Sequence, residues 1–429
     1  MVEAPEGLGA QIHALITRLF PICRSITGDG VRSTLRILSE VAPLEVREVP
    51  SGTQVLDWNV PREWNVREAW IEGPAGDRIV DLRSSSLHLV SYSVPIRARM
   101  PLSKLRPHLH SLPDRPDWIP YRTSYYEEGW GFCLPHRQLL ALPEGDYEVC
   151  IDSTLAPGHL TYGELLLPGE TEEEILVSAH VCHPSLADDN LSGIAVAAFL
   201  ARHLASRPRA RLSVRFLFAP GTVGAITWLA RNREGVRRIR HGLTLTCLGD
   251  RHPFTYKRTV SGNADIDRAV ALVLARSGLA HQLIDFFPYG YDERQFNSPG
   301  FRLPVGSLMR GRHGEFPEYH SSADDLSFVT PERLAESFCV LASVIQVLDG
   351  NRRYENLAPF GEPQLGRRGL YRPLGGTGIP DLQLAMLWVL NLSDGEHSLL
   401  DVAERSRLPF DTLAIAAELL LQHDLLGET

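Results

Sequence analysis

The stretch Glu174-Ile-Leu-Val-Ser-Ala-His180-Val-Cys182-His183-Pro184-Ser-Leu-Ala-Asp188-Asp189-Asn190-Leu-Ser192-Gly193 decides how the rest of the chain is read. Ile175 to Val177 is a run whose branched side chains pack well in a pleated core, so it reads as a buried strand. Two histidines and a Cys–Pro pair stand where that strand must stop. A double aspartate then precedes Ser192-Gly193 and an apolar helical run, Ile194 to Leu204. Ligand sites in open α/β sheets lie beyond the carboxyl ends of the strands. The imidazoles and carboxylates of this stretch, nine residues apart from His180 to Asp189, are donor types that zinc takes. A plainer reading is also available: His180 as a core histidine and Asp188-Asp189 as the cap of the following helix.

Strand and helix patterns alternate on either side of this stretch. Strands are predicted at Tyr147–Ile151, Leu160–Leu167, Ile175–Ala179, Leu212–Ala219, Leu243–Leu248, Gln282–Phe286 and Val305–Ser307. Helices are predicted at Ile194–Leu204, Gly224–Arg231, Asp265–Ser277 and Pro331–Leu348. Such alternation implies an α/β sheet covered on both faces. Upstream, Ala10–Phe20 and Gly30–Leu38 read as helices and Leu44–Val49 as a strand. The turn between the helices, Pro21-Ile-Cys-Arg24-Ser25-Ile-Thr27-Gly28, places an arginine beside two hydroxyls, either as a surface-turn residue or as a grip for a carboxylate.

From Val60 to Leu142 the pattern changes to short alternating stretches between proline-rich turns, the mark of a small all-β module. Its aromatic residues, with Trp58, Trp64, Trp70, Tyr121, Tyr125, Tyr126 and Trp130 foremost, either fill a small core or line a substrate mouth. The division expected is an α/β domain over 1–58 and 143–350, interrupted by the β insert at 59–142. A linker rich in Gly, Pro and Arg follows at 351–379, and 380–429 carries three short helices laid out as a winged helix.

Composition narrows the function. The 429 residues are 44% hydrophobic and 22% charged, ordinary for a globular protein. Net charge is −9, so no overall basic field gathers nucleic acid or anionic lipid. The segment 380–429 holds nine acidic residues and two arginines, a balance of −7 that would repel phosphates. That module is expected to serve packing or interaction, including contact with a second copy of the chain, rather than DNA binding. Six cysteines without paired spacing suit reduced thiols. No signal-peptide pattern or long apolar run is visible, so a cytoplasmic protein without a membrane span is expected.

A second constellation lies far along the chain. Tyr289-Gly-Tyr-Asp292-Glu293-Arg294-Gln295-Phe296-Asn297 precedes the strand Leu303-Pro-Val-Gly-Ser-Leu, and Gly314-Glu315-Phe-Pro-Glu318-Tyr319-His320-Ser-Ser-Ala-Asp324-Asp325 follows it. With these residues the chain resembles the zinc aminopeptidases, a superfamily that also includes glutaminyl cyclases and non-catalytic receptor domains. It is more closely similar to bacterial aminopeptidase-like proteins with a small β insert and a C-terminal winged helix. The runs that carry this closer likeness are Pro21–Gly28, Cys182-His183-Pro184 and Asp292–Gln295. The resemblance implies a zinc-exopeptidase-like mixed sheet flanked by helices. It implies His180, Asp189 and His320 as metal ligands, with His183 a rival for or supplement to His180. Such a set leaves a position open for water, as catalytic zinc sites do.

The departures from that family are as informative. Its Glu–Glu pair, one residue a base and one a ligand, belongs in the turn that here reads Phe218-Ala-Pro220-Gly221-Thr222-Val-Gly224. A further aspartate ligand belongs near Thr246-Cys247-Leu248-Gly249, again without a carboxylate. One zinc ion is therefore expected rather than two. Glu293 and Glu318 are the candidate replacement bases, Arg294 and Arg310 candidates for gripping a substrate carboxylate, and Asp292 a candidate substrate-side residue or partner of a ligand histidine. The function implied is hydrolysis of a peptide or small aminoacyl amide. Aminoacyl transfer or cyclisation, and a silent binding domain, are the alternatives.

Overall fold

A computed structural model describes residues 1–370 and 381–429. Its centre is an eight-stranded mixed sheet. In chain order the strands are β1 (Glu45–Pro50), β2 (His159–Leu167), β3 (Glu174–His180), β4 (Ser213–Ala219), β5 (Ile239–Leu245), β6 (Phe254–Lys257), β7 (His281–Ile284) and β8 (Val305–Met309). In space they run β1-β2-β4-β3-β5-β8-β6-β7. The four inner strands β4, β3, β5 and β8 are mutually parallel, and β2 and β6 flank them antiparallel. Every residue of β3 is buried, as expected of a central strand with layers on both faces. Its first residue, Glu174, is a buried carboxylate held by Arg215 at 2.6 Å and Arg238 at 3.0 Å.

The helix Gly193–Ala205 buries every residue from Gly193 to Ala201. A helix apolar all round belongs inside a layer, and this one lies in the core among residues of Leu8–Leu19 and Pro331–Gly350. The carboxyl ends of the inner strands are level: His180 pairs with Ala219 and Ala179 with Leu245, while Leu245 pairs with Leu308. The loops after all four strands therefore leave at one edge.

The insert has a four-stranded antiparallel sheet, Arg78–Asp81, Glu63–Glu72, Asp146–Ala156 and Ile96–Pro101 in spatial order. This corrects the assignment of Tyr147–Ile151 to the α/β sheet: Glu148 to Ile151 pair with Glu63–Glu72 and Tyr147 with Met100, and the insert's sheet extends beyond residue 142. Its alternating burial gives one packed face, a pattern that sequence alone does not attach to either neighbouring sheet. The short strand β6 was also missed by the sequence reading.

The linker predicted over 351–379 is corrected in part. Arg353–Asn356 is the middle strand of a three-stranded sheet with Asp394–Ser398 and Leu426–Glu428, so the winged helix begins with it. Residues 371–379 of that segment lie outside the described residues. Three helices complete the module, Asp381–Leu392, Leu399–Ser406 and Phe410–Gln422. Part of its acidity is used within the chain, since Arg268 reaches Asp401 and Glu404, each at 2.7 Å. Among the described residues no helix is long and apolar enough to cross a membrane.

Candidate metal centre

Three imidazoles converge on one carboxylate at the sheet edge. Asp189 is fully buried; His180 Nε2 lies 3.0 Å from its Oδ1, and His320 Nε2 lies 3.0 Å from its Oδ2. His183 Nε2 stands 4.0 Å from Oδ2. Ligand atoms of His180, His183 and Asp189 all fall within 4.8 Å of one another. Both histidines at the end of β3 thus stand in the cluster. Burial drives His183 well below its ordinary pKa, leaving the imidazole neutral. Burial pushes Asp189 upward, but any charge on His183 and the hydrogen bonds with His180 and His320 hold it well below the usual carboxylate range. Neutral nitrogens and an ionised oxygen are what zinc requires, so the donor set fits the ion.

The surroundings fix these side chains. Asp324 accepts the backbone N–H of Asp188 at 2.6 Å and of Asp189 at 2.9 Å, clamping the turn that carries the carboxylate. The next residue, Asn190, places its amide nitrogen 3.2 Å from His180 Nδ1 and 2.9 Å from the Leu245 carbonyl. Arg24, 1% exposed, donates to the carbonyls of His183 and Leu19, each at 2.8 Å. It is neither a surface residue nor a grip for a carboxylate; it holds the His183 loop from below. His320 adopts a left-handed backbone with φ of 55°, and its carbonyl accepts the Tyr121 N–H at 2.8 Å. The insert therefore pins the His320 loop, and the Tyr121 ring packs against both His183 and His320 at 5.1 Å.

A cavity of about 450 Å³ opens onto this cluster. It is lined by His180, His183 and His320, by Gly221, Thr222 and Asp292, and by the aromatic residues Trp58, Tyr121, Tyr125 and Tyr126. The aromatic residues of the insert therefore divide. Trp64 and Trp70 are buried in the insert and Trp130 stacks on His108 at 3.7 Å, whereas Tyr126 is 76% exposed at the cavity mouth.

Several predicted site residues are elsewhere. Glu293 is fully buried in an ion pair with Lys257, itself fully buried and donating to the Tyr289 carbonyl at 2.9 Å. A carboxylate locked in that way is a structural tie under the Asp292 loop, not a base at the cavity. Glu318 is half-buried and does not line the cavity. Arg310, 3% exposed, pairs with Glu336 at 2.5 Å and stacks on Phe254, so it braces the Pro331–Gly350 helix. Arg294 is half-buried and lies outside the cavity wall. Asp292 does line it. Its Oδ1 accepts the Thr222 N–H at 2.7 Å, while Asn190, not Asp292, stands at His180 Nδ1.

Sequence reasoning passed over Tyr291 and Tyr319. Tyr291 stacks on His180 at 4.8 Å and donates to the Tyr319 hydroxyl at 3.2 Å; Tyr319 in turn stacks on His320 at 3.9 Å. Their positions immediately beside Asp292 and His320 were the available signal. Cys182 also lines the cavity, accepting the Gly221 N–H at 3.3 Å, and burial pushes its thiol up to about 12.

Residues 13–351 match the family profile described as "Domain of unknown function (DUF4910)", and 352–428 match "winged helix-turn-helix". The chain belongs to the DUF4910 family. It is 50% identical over 426 residues to a Clostridium acetobutylicum protein named "Putative polysaccharide biosynthesis protein with aminopeptidase-like domain", covering 99% of this chain and 98% of that one. A crystal structure of a protein from the same organism superposes with a TM-score of 0.93 at 48% identity, over 98% of this chain and 96% of the other. BSAP, a zinc aminopeptidase from Bacillus subtilis, superposes with a TM-score of 0.57 at 14% identity, over 80% of this chain and 95% of that one. The fold of the DUF4910 region is thus aminopeptidase-like.

Proposed function

We propose that this protein is a zinc-dependent hydrolase of amide bonds, acting on a peptide or small aminoacyl amide, with one zinc ion held by three ligands drawn from His180, His183, Asp189 and His320, so that a position stays open for water. The observation that carries the reading is the convergence of three imidazoles on a buried carboxylate at the floor of a substrate-sized cavity. Zinc bound there would polarise a carbonyl and acidify water.

The surrounding side chains supply orientation and exclusion. Tyr291 and Tyr319, stacked on His180 and His320, shield two ligand rings and bring their hydroxyls to one place. No lysine or arginine is among the described residues of the cavity wall, so its chemistry suits a neutral or cationic substrate rather than an anionic one. The one-ion reading is supported by the carboxylate-free turn at Pro220–Thr222, and by Thr246 Oγ1 standing 3.4 Å from Asp189 Oδ1 where a further aspartate is expected.

The aromatic mouth favours a second reading, an amide carried on a sugar. Tyrosine and tryptophan rings at an open rim offer apolar faces together with hydroxyls, a match for a pyranose as well as for a peptide side chain. The polysaccharide-biosynthesis name of the Clostridium acetobutylicum relative is consistent with this.

Metal analysis of zinc-supplemented protein, alongside a panel of aminoacyl coumarin amides and N-acetylated hexosamines, tests both readings. One zinc per chain, lost in His183→Ala, with chelator-sensitive release of amine or acetate, is expected. A preparation that takes up no zinc refutes the hydrolase.

A further inference from the structure

We propose that Asp292 is the proton-carrying carboxylate of this centre, brought to the turn after β4 from the loop before β8. This rests on the amide-hydrolase reading. The turn Pro220–Thr222 has no acid of its own, yet its backbone is shaped around one. Val223 donates to the Gly221 carbonyl at 2.8 Å across Thr222, whose φ and ψ are 59° and −76°. That is a γ-turn of the rare positive-φ kind, a strained conformation for a β-branched residue. The N–H at the apex of this turn is the one that donates to Asp292 Oδ1 at 2.7 Å.

The second oxygen is available for chemistry. Asp292 lines the cavity while only 5% exposed, and its Oδ2 has no hydrogen bond among the described residues. Among the described lining residues it is the one acid. Asp189 faces the imidazoles, Glu293 is engaged by Lys257, and Glu318 lies off the wall. The adjacent pair Asp292-Glu293 thus divides its work: Glu293, tied to Lys257, anchors the loop, and Asp292 lines the cavity. Gly290 permits the arrangement, because a Cβ there would meet Glu293 Oε1 and Lys257 Nζ far inside contact distance.

The step is balanced with water as the co-reactant. Water oxygen bonds to the amide carbonyl carbon as one water proton passes to Asp292 Oδ2. The C–N bond then breaks, its electron pair stays on nitrogen, and Asp292 returns the proton to that nitrogen. The products are a carboxylic acid and an amine, and Asp292 ends ionised.

The test combines an isosteric variant with a structure. Asp292→Asn is expected to keep stoichiometric zinc and a near-wild-type KM while kcat falls by about 100- to 10,000-fold. In crystals of the zinc-loaded protein with leucine hydroxamate, Asp292 Oδ2 is expected within about 3.2 Å of a hydroxamate oxygen. Unchanged kcat in Asp292→Asn overturns the proposal. So does a raised KM confined to substrates with a free ammonium, which would make Asp292 an amine anchor, or a crystal in which it ligates zinc or points away from the hydroxamate. Wild-type protein without zinc instead removes the hydrolase reading, and this proposal with it.

Discussion

The loops after β3 and β4 leave neighbouring parallel strands at the same level, His180 opposite Ala219, and they are opposites in chemistry. The β3 loop carries His180, His183 and Asp189, and is clamped by Asp324 and Arg24. The β4 loop carries no ionisable side chain from Pro220 to Val223; it offers a strained backbone N–H that receives a carboxylate from elsewhere. Two equivalent exits of one sheet thus do different jobs. The strands fix where chemistry can happen, and each loop decides separately whether it brings a side chain or a socket for one.

The largest test of that contrast is metal binding. Asp189→Ala should lower zinc affinity by more than about 100-fold, beyond the range for outer partners of metal ligands. Gly221→Ala in the β4 loop should leave it within a few-fold, since a Cβ there meets Cys182 Sγ at an ordinary 3.4 Å and His180 Cβ at 3.8 Å. Equilibrium zinc competition with a chromophoric chelator reads both. Equal losses in the two variants would break the contrast.

Next in size is the tie beneath the Asp292 loop. Lys257→Met leaves Glu293 buried without its partner, which costs about 3–5 kcal/mol. The double change Lys257→Met with Glu293→Leu should recover most of that loss, because removing both charges also removes their desolvation. Denaturant unfolding midpoints measure it. A double variant no more stable than the single would mean that the pair does not act as a unit.

The clamp on the β3 loop comes third. Asp324→Ala orphans two buried backbone N–H groups and frees the Asp189 turn, and should weaken zinc binding by about 10- to 100-fold. The same zinc competition reads it, and an unchanged affinity would mean that the turn keeps its shape without Asp324.

How far these features could be read in the sequence follows from how local each one is. The β3 strand, its histidines and the helix from Gly193 are contiguous, so hydrophobic pattern and strand-end logic locate them directly. The strand before His320 places it on a loop at the sheet's functional edge, but its role as a ligand was reached through resemblance, because its local pattern does not name its partners. The structure removes Glu293 from the cavity for a physical reason. Asp292 and Glu293 are adjacent acids, and only the position of Lys257, more than thirty residues earlier, determines which of them is sequestered. Arg310 failed for the same reason, its partner Glu336 lying in the helix that covers the sheet. The strand Asp146–Ala156 was visible as a strand, but its sheet was not, since pairing with Glu63–Glu72 depends on contacts across the whole insert. Arg353–Asn356 is short, and its polar sequence directly after Arg352 hides its place in the winged helix.

The smallest expected effect concerns the aromatic wall, and it separates binding from bond breaking. Tyr126 is 76% exposed and packs edge-on against Trp58 at 6.2 Å, on the insert side of the cavity. Among the described residues its ring packs on Trp58 and not on His180, His183 or His320, so it is placed to hold a substrate rather than to act on the reacting carbonyl. Loss of an aromatic contact of this kind costs about 0.5–1.5 kcal/mol, or roughly 2- to 12-fold in affinity. Tyr126→Ala should therefore raise KM by that factor and leave kcat unchanged, the signature of binding shared equally by ground and transition states. Steady-state kinetics on paired substrates, one with a bulky leaving group and one truncated, decides the matter. If the KM rise is confined to the bulky substrate, the insert wall is a recognition surface for the distal part of the substrate. If kcat falls instead, the wall also helps to align the amide over the metal donors, and the division between a chemical face and a binding face of the cavity must be redrawn.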